Sequence, residues 1–180
     1  DVLAEVMKES FSDLLDAGCG TGAMLAMFRK DCPDKNYTGI DLSEKMIETA
    51  KKKELDGVCF VAGDCEELPF AENHFDVVTC SMSFHHYPNP DKFFQSLHRV
   101  LRPGGRLILR DMAAKSRVTM WLINHIEIPI INKVLRKGDV HVYTKEDILR
   151  LCDISGMKLE SYEVRKGFSC LLYTSPSPRD

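Results

Sequence analysis

Short apolar runs recur along this chain, separated by longer stretches whose apolar residues return at helical spacing. The compact runs at 12–16, 36–40, 58–62, 75–80 and 106–110 read as strands, with a sixth at 158–165. The stretches at 22–30, 43–54, 90–101 and 144–154 read as helices, and residues 2–10 as the last turns of another. Short strands alternating with longer helices predict an α/β fold of three layers, a mostly parallel sheet with helices on both faces. End signals agree with these bounds. Ser43 caps a helix whose apolar face opens with Met46 and Ile47, and Thr144 with Asp147 has capping-box spacing. The helix at 90–101 opens on Pro90-Asp91 and carries Phe93, Phe94, Leu97, Val100 and Leu101 on one face, as core residues. Pro103-Gly104-Gly105 ends it and turns the chain toward the fifth strand.

Two stretches depart from the rhythm. Residues 112–141 hold one or two amphipathic helices, Val118 to Ile131, and then the basic run Lys133 to Gly138. An oligomer contact or a membrane-facing surface would account for them. Because the insert follows the strand ending at Arg110-Asp111, a substrate lid is the preferred reading. Near the C-terminus, Lys166-Gly167-Phe168-Ser169 should open a closing antiparallel strand, but Tyr173 to Asp180 becomes a proline-rich polar tail that is not expected to complete a ladder. Residues 1–169 therefore read as a single domain, and 170–180 as a non-native or disordered tail similar to a translated sequencing adapter. With a first residue other than Met, the chain reads as cut from a longer gene at both ends.

The strand ends carry the candidate chemistry. Asp16-Ala17-Gly18-Cys19-Gly20-Thr21-Gly22 lies between the first strand and its helix, where backbone N–H groups and the positive end of a helix can face a ligand. A tight turn with no ligand would use the same glycines. Asp41 ends the second strand, where a carboxylate can accept both hydroxyls of a ribose or cap the next helix. Gly63-Asp64-Cys65 follows the third strand, and Ser81-Met82-Ser83-Phe84-His85-His86-Tyr87 follows the fourth. In an open parallel sheet these C-terminal ends line one crevice.

Composition narrows the class. A 180-residue chain with 44% hydrophobic residues suits one soluble domain, and a net charge of −3 argues against a broad nucleic-acid footprint. Lys51-Lys52-Lys53 reads as the solvated end of a helix rather than an RNA contact. Seven cysteines without Cys-x-x-Cys spacing suggest neither a disulfide framework nor a zinc cluster, and a reducing cytoplasm is the simplest setting. No metal site is expected, since His125 and His141 lack a recognisable ligand pattern. Ser81 and Ser83 lack a hydrolase elbow. The apolar stretch at 120–131 is interrupted by Asn124, His125, Glu127 and Pro129, so no transmembrane segment is expected.

From about residue 12 to 169 the chain resembles the class I S-adenosylmethionine-dependent methyltransferases, especially the type 11 branch related to the ubiquinone and menaquinone C-methyltransferases. The resemblance rests on Asp16 to Gly22, Gly39-Ile40-Asp41-Leu42-Ser43, Gly63-Asp64, Phe75-Asp76-Val77-Val78 and Leu101 to Leu107, in that order. It implies a Rossmann-like fold, S-adenosyl-L-methionine as cofactor, and methyl transfer to a small molecule. It further implies that Gly18, Gly20 and Gly22, with Ala17 before them and Cys19 between the first two, pass close to the methionine portion while Asp16 organises the loop or its amino group. Asp41 would hold the ribose, Leu42 and Met46 would cover an adenine face, and Asp64 would accept the adenine amino hydrogens beside the Cys65 backbone. Ser81 would meet the amino-acid end.

Methyl transfer from a sulfonium needs alignment more than acid-base work, and a base matters only for a protonated acceptor. His86 is the preferred base and His85 a weaker one; packing against Tyr87 or a backbone hydrogen bond that holds the loop is the alternative role for either. Phe84, Tyr87, Met112, Met120, Trp121, Ile123 and Ile126 suggest an apolar or aromatic acceptor, and their spacing also suits helix packing. The rival readings are an NAD-dependent oxidoreductase, which shares the glycine loop, and a cofactor-binding fragment without turnover. An oligomer contact would use 112–141.

Overall fold

The computed structural model describes residues 2–113, 117–135, 138–165 and 169–176. Seven strands form one sheet in the order β3-β2-β1-β4-β5-β7-β6. The strands are β1 Asp13–Ala17, β2 Asn36–Asp41, β3 Val58–Ala62, β4 Phe75–Ser81, β5 Leu101–Met112, β6 Met157–Arg165 and β7 Ser169–Pro176. The first five pair in parallel, and β7 runs antiparallel to both of its neighbours.

Alternate residues of the central strands enter opposite layers, as the period of a strand requires. Leu14, Val77 and Ile108 pack with Val6 of α1 (Val2–Val6), Leu25 and Phe28 of α2 (Ala23–Asp31), and Ile47 and Ala50 of α3 (Glu44–Lys51). Leu15, Val78, Leu107 and Leu109 pack with Phe93, Phe94 and Leu97 of α4 (Pro90–Val100) and with Ile148 and Leu151 of α7 (Lys145–Ser155). The expected caps form. Ser43 accepts the N–H of Met46, and Thr144 and Asp147 make a reciprocal capping box.

The insert holds α5 (Arg117–Leu122), a π-helical turn at Ile123–Glu127 and α6 (Ile128–Leu135). Met120, Ile128 and Val142 give it a small core of its own. Asn124 ties it down, its Nδ2 donating to the Val142 carbonyl at 2.9 Å and its Oδ1 accepting the Val142 N–H at 2.8 Å.

Two expectations need correction. The Pro-Gly-Gly turn lies inside a longer β5, as an irregularity between the Phe75–Leu101 and Val77–Arg106 pairs. A Cβ on Gly105 would meet the carbonyls of Arg102, Asp76 and Phe75 at 2.9–3.1 Å, so the turn folds directly onto the β4 backbone. The second correction concerns the closing ladder, which residues 170–176 do complete within β7, between β5 and β6. Leu171-Leu172-Tyr173 has strand propensity, and Pro176 falls at the last rung, where its missing N–H ends the ladder without interrupting it. Residues 177–180 lie outside the described residues.

Candidate active site

The C-terminal ends of β1, β2, β3 and β4 meet around a cavity of about 500 Å³, lined by Gly18, Asp41, Leu42, Ser43, Asp64, Cys65, Glu66, Ser83, His86, Tyr87 and Pro88. That volume suits a nucleoside-sized ligand.

The loop after β1 is built by its glycines. Gly18, Gly20 and Gly22 have φ of +74°, +53° and +71°, a region that side chains disfavour. The Ile40 carbonyl at the end of β2 accepts the N–H groups of Gly18 and Cys19 at 2.9 and 3.0 Å. Asp41 continues the tie, its Oδ2 accepting the Gly20 N–H at 2.8 Å and its Oδ1 the Ser43 N–H at 2.9 Å. Each carboxylate oxygen has a second lone pair, so Asp41 both organises the loop and can accept from a ligand. A Cβ on Gly20 would meet nothing within 4 Å, leaving open space where a ligand can approach the backbone.

Asp16 sits behind this loop. It is 1% exposed, and its Oδ1 accepts the Thr79 hydroxyl hydrogen at 2.8 Å. Burial pushes its carboxyl up to about 7, the Thr79 hydrogen bond opposing the rise and the Asp41 charge adding to it. Asp64 caps the 3-10 turn Cys65–Glu67, its Oδ1 accepting the Glu66 N–H at 2.8 Å. Burial pushes the Cys65 thiol up to about 12 and raises that of Cys19 as well, which disfavours the thiolate form of both.

Of the residues singled out from the sequence, Gly18, Asp41, Leu42, Asp64, Cys65 and His86 line the cavity. Asp16 and Ala17 end β1, and Cys19, Gly20 and Gly22 lie in the loop after it; none of the five is among the lining residues. Met46 and Ser81 stand outside the lining, and Met46 is exposed on α3. Ser83, two residues beyond Ser81, takes the place beside the loop. A Cβ on Gly18 would fall 1.9 Å from Ser83 Oγ, which itself donates to the Tyr87 hydroxyl at 3.1 Å. Glu66, Ser83 and Pro88 carried no motif of their own, and only their positions just after strand ends pointed to them.

The apolar residues expected around an acceptor are dispersed. Tyr87 lines the cavity, Phe84 is buried in an aromatic cluster with Tyr87, Phe93, Phe94 and Tyr143, and Met120 belongs to the insert's own core. Met112 and Ile123 pack against that same small core, while Trp121 and Ile126 are exposed. His86 has its Nδ1 3.3 Å from the Gly138 carbonyl, an acceptor, so a neutral ring carries its proton on Nδ1 and its lone pair on Nε2.

A family model described as "Methyltransferase domain" matches residues 15–109, from within β1 through most of β5. The chain belongs to the methyltransferase-domain family. It is 36% identical over 112 residues to a phthiotriol/phenolphthiotriol dimycocerosates methyltransferase of Mycobacterium leprae, covering 62% of this chain and 42% of that protein. It is 32% identical over 112 residues to a demethylmenaquinone methyltransferase of Thermotoga maritima, covering 62% of this chain and 47% of that one. The chain thus spans less than half the length of these curated relatives. A solved S-adenosylmethionine-dependent methyltransferase from Mesorhizobium loti shares its fold, with a TM-score of 0.77 and 20% identity over 96% of this chain and 95% of the other. No helix among the described residues is long and apolar enough to cross a membrane.

The residues present fit the cofactor that this family uses. The open space over Gly20 admits a ligand against the backbone, and two carboxylates, Asp41 and Asp64, face one nucleoside-sized cavity. Hydroxyls and an exocyclic amine are donors that suit such a pair.

Proposed function

We propose that this methyltransferase-family chain binds S-adenosylmethionine in the cavity at the strand ends and methylates a small lipophilic acceptor. The observation that carries the reading is the Asp41 carboxylate in the cavity wall, tied to Gly20 of a loop whose backbone is open to a ligand. When bound, the cofactor supplies an activated methyl group on a sulfonium that leaves as a neutral thioether.

The protein's own work is then to bind, align and exclude water. Asp41 accepts the ribose hydroxyls, Asp64 accepts from the adenine amine beside Cys65, and Leu42 covers the base. Gly18 and Ser83 receive the amino-acid end, so the role expected of Ser81 passes to Ser83. Asp16 holds the loop from behind. For an acceptor that must lose a proton, Nε2 of His86 is the basic nitrogen of the wall. The segment 112–141 forms the acceptor-side lid, latched where Val140 and His141 donate to the His85 carbonyl at 2.7 and 3.2 Å.

The acceptor class draws support from the relatives, whose names specify phthiotriol-type dimycocerosates and demethylmenaquinone. Six described cysteines are free thiols, which favours a reducing compartment such as the cytoplasm. Transfer of a labelled methyl group from S-adenosylmethionine into organic-extractable product tests the activity, with fatty acids and reduced quinones as acceptors. Label in the product of one acceptor, lost in Asp41→Ala, is the expected result. No labelled product from any acceptor, with the cofactor bound, overturns it.

A further inference from the structure

Beside the lid latch, the 3-10 turn Phe84–His86 sets two adjacent imidazoles with ring centroids 4.0 Å apart. Facing them across the rim of the cavity is Asp139, between α6 and α7. Its Oδ1 stands 3.8 Å from His85 Nε2 and 3.4 Å from His86 Nδ1, and the three atoms lie within 4.8 Å of one another. Ligands of a tetrahedral zinc ion with bonds of about 2.0–2.1 Å lie roughly 3.3 Å apart, so small side-chain adjustments bring these atoms to coordinating distance.

Both sides of the cluster are held in place. Asp111 accepts from His85 twice, with Oδ1 2.6 Å from Nδ1 and Oδ2 3.0 Å from the backbone nitrogen, and both residues are buried. A proton on Nδ1 leaves a lone pair on Nε2, the nitrogen nearer Asp139. A carboxylate that fixes tautomer and ring orientation in this way is the usual support of a metal-ligating histidine. On the opposite side, Asn132 of α6 accepts the Asp139 N–H at 3.1 Å and donates to its carbonyl. At 3.8 Å His85 Nε2 makes no hydrogen bond to Asp139, so a lone pair and a carboxylate oxygen face each other across a gap that suits a cation.

We propose that His85 Nε2, His86 Nδ1 and Asp139 Oδ1 form a binding site for a divalent transition-metal ion, clasping the lid to the turn after β4. Two imidazoles and one carboxylate suit Zn²⁺ or Fe²⁺, whereas Mg²⁺ and Ca²⁺ take oxygen ligands. Three protein ligands leave a position open to water or an acceptor oxygen. A metal on Nδ1 places the ring proton on Nε2, so metal occupancy and the base role of His86 exclude each other.

Calorimetric titration of Zn²⁺ into the chelator-stripped 180-residue chain tests the site without reference to methyl transfer. The expected result is one Zn²⁺ per chain, with Mg²⁺ failing to compete and affinity falling about tenfold or more in both Asp139→Asn and His86→Ala. The second variant alters a half-exposed side chain and guards against misfolding of the first. Co²⁺ loading should give a spectrum without thiolate charge transfer, which separates the site from the cysteines. Failure to bind Zn²⁺ overturns the proposal, as does a site that survives both substitutions or a thiolate spectrum.

Discussion

The carboxylate of Asp41 accepts the backbone N–H of Gly20 at 2.8 Å, joining the end of β2 to the loop that leaves β1. One side chain therefore sets the shape of the glycine loop and faces the cavity beside it. Removing it should cost loop geometry and a ligand contact together. In Asp41→Ala, affinity for S-adenosylhomocysteine should fall about tenfold or more, since each lost charge-assisted hydrogen bond is worth about 1.5–3 kcal/mol. Calorimetry reads the affinity and circular dichroism confirms the fold. Unchanged affinity in a folded variant contradicts the assignment.

Gly18 and Ser83 touch across the same crevice. Gly18→Ala places a methyl 1.9 Å from Ser83 Oγ and 2.4 Å from its Cβ, at a φ of +74°. The left-handed backbone alone costs about 1–2 kcal/mol, and Ser83 must also move. Thermal unfolding should show a lower midpoint, and adding Ser83→Gly should recover part of the loss. No recovery in the double variant argues against this contact as the source.

Asp16 sets a pH dependence. Its carboxyl is raised from an ordinary 3.8 to about 7 by burial, so between those values the folded chain holds a proton that the unfolded chain has released. Stability from this group is full below pH 3.8 and is lost as pH rises toward 7, at no more than about 1.4 kcal/mol per pH unit. Asp16→Asn stays neutral and should flatten that slope. Urea unfolding at a series of pH values measures it, and an identical slope in the variant counts against a buried neutral Asp16.

Asn124 holds the insert through paired hydrogen bonds to Val142. Asn124→Ala leaves both backbone groups of Val142 without that partner, at a local cost of about 1–3 kcal/mol. The Val142 amide should exchange with deuterium roughly tenfold faster or more, while amides of the central strands β1 and β4 keep their rates. Equal acceleration throughout the sheet means that the insert is not a separate latch.

The order of elements was legible because each parallel strand ended in small residues or an acid and two of the helices, α3 and α7, carried their own side-chain caps. Gly18, Asp41 and Asp64 could be placed in one crevice for that reason alone. Contacts between distant segments gave no such sign. Ser83 lies over Gly18, and Asp139 comes opposite His85, only because β4 lies beside β1 and the insert folds back onto the turn after β4. The tail misled for a related reason. Its prolines suggested a broken ladder, whereas Pro176 sits at the end of β7. Trp121 and Ile126 read as acceptor contacts from their apolar character, which cannot say which residues of α5 and the following turn are buried; both are exposed.

The central claim is tested most directly by calorimetric titration of S-adenosylhomocysteine into the 180-residue chain, with NADH titrated in parallel. One S-adenosylhomocysteine bound per chain, with no heat from NADH, is the expected result. Binding of NADH instead, or of neither ligand by a demonstrably folded chain, contradicts the assignment of this cavity.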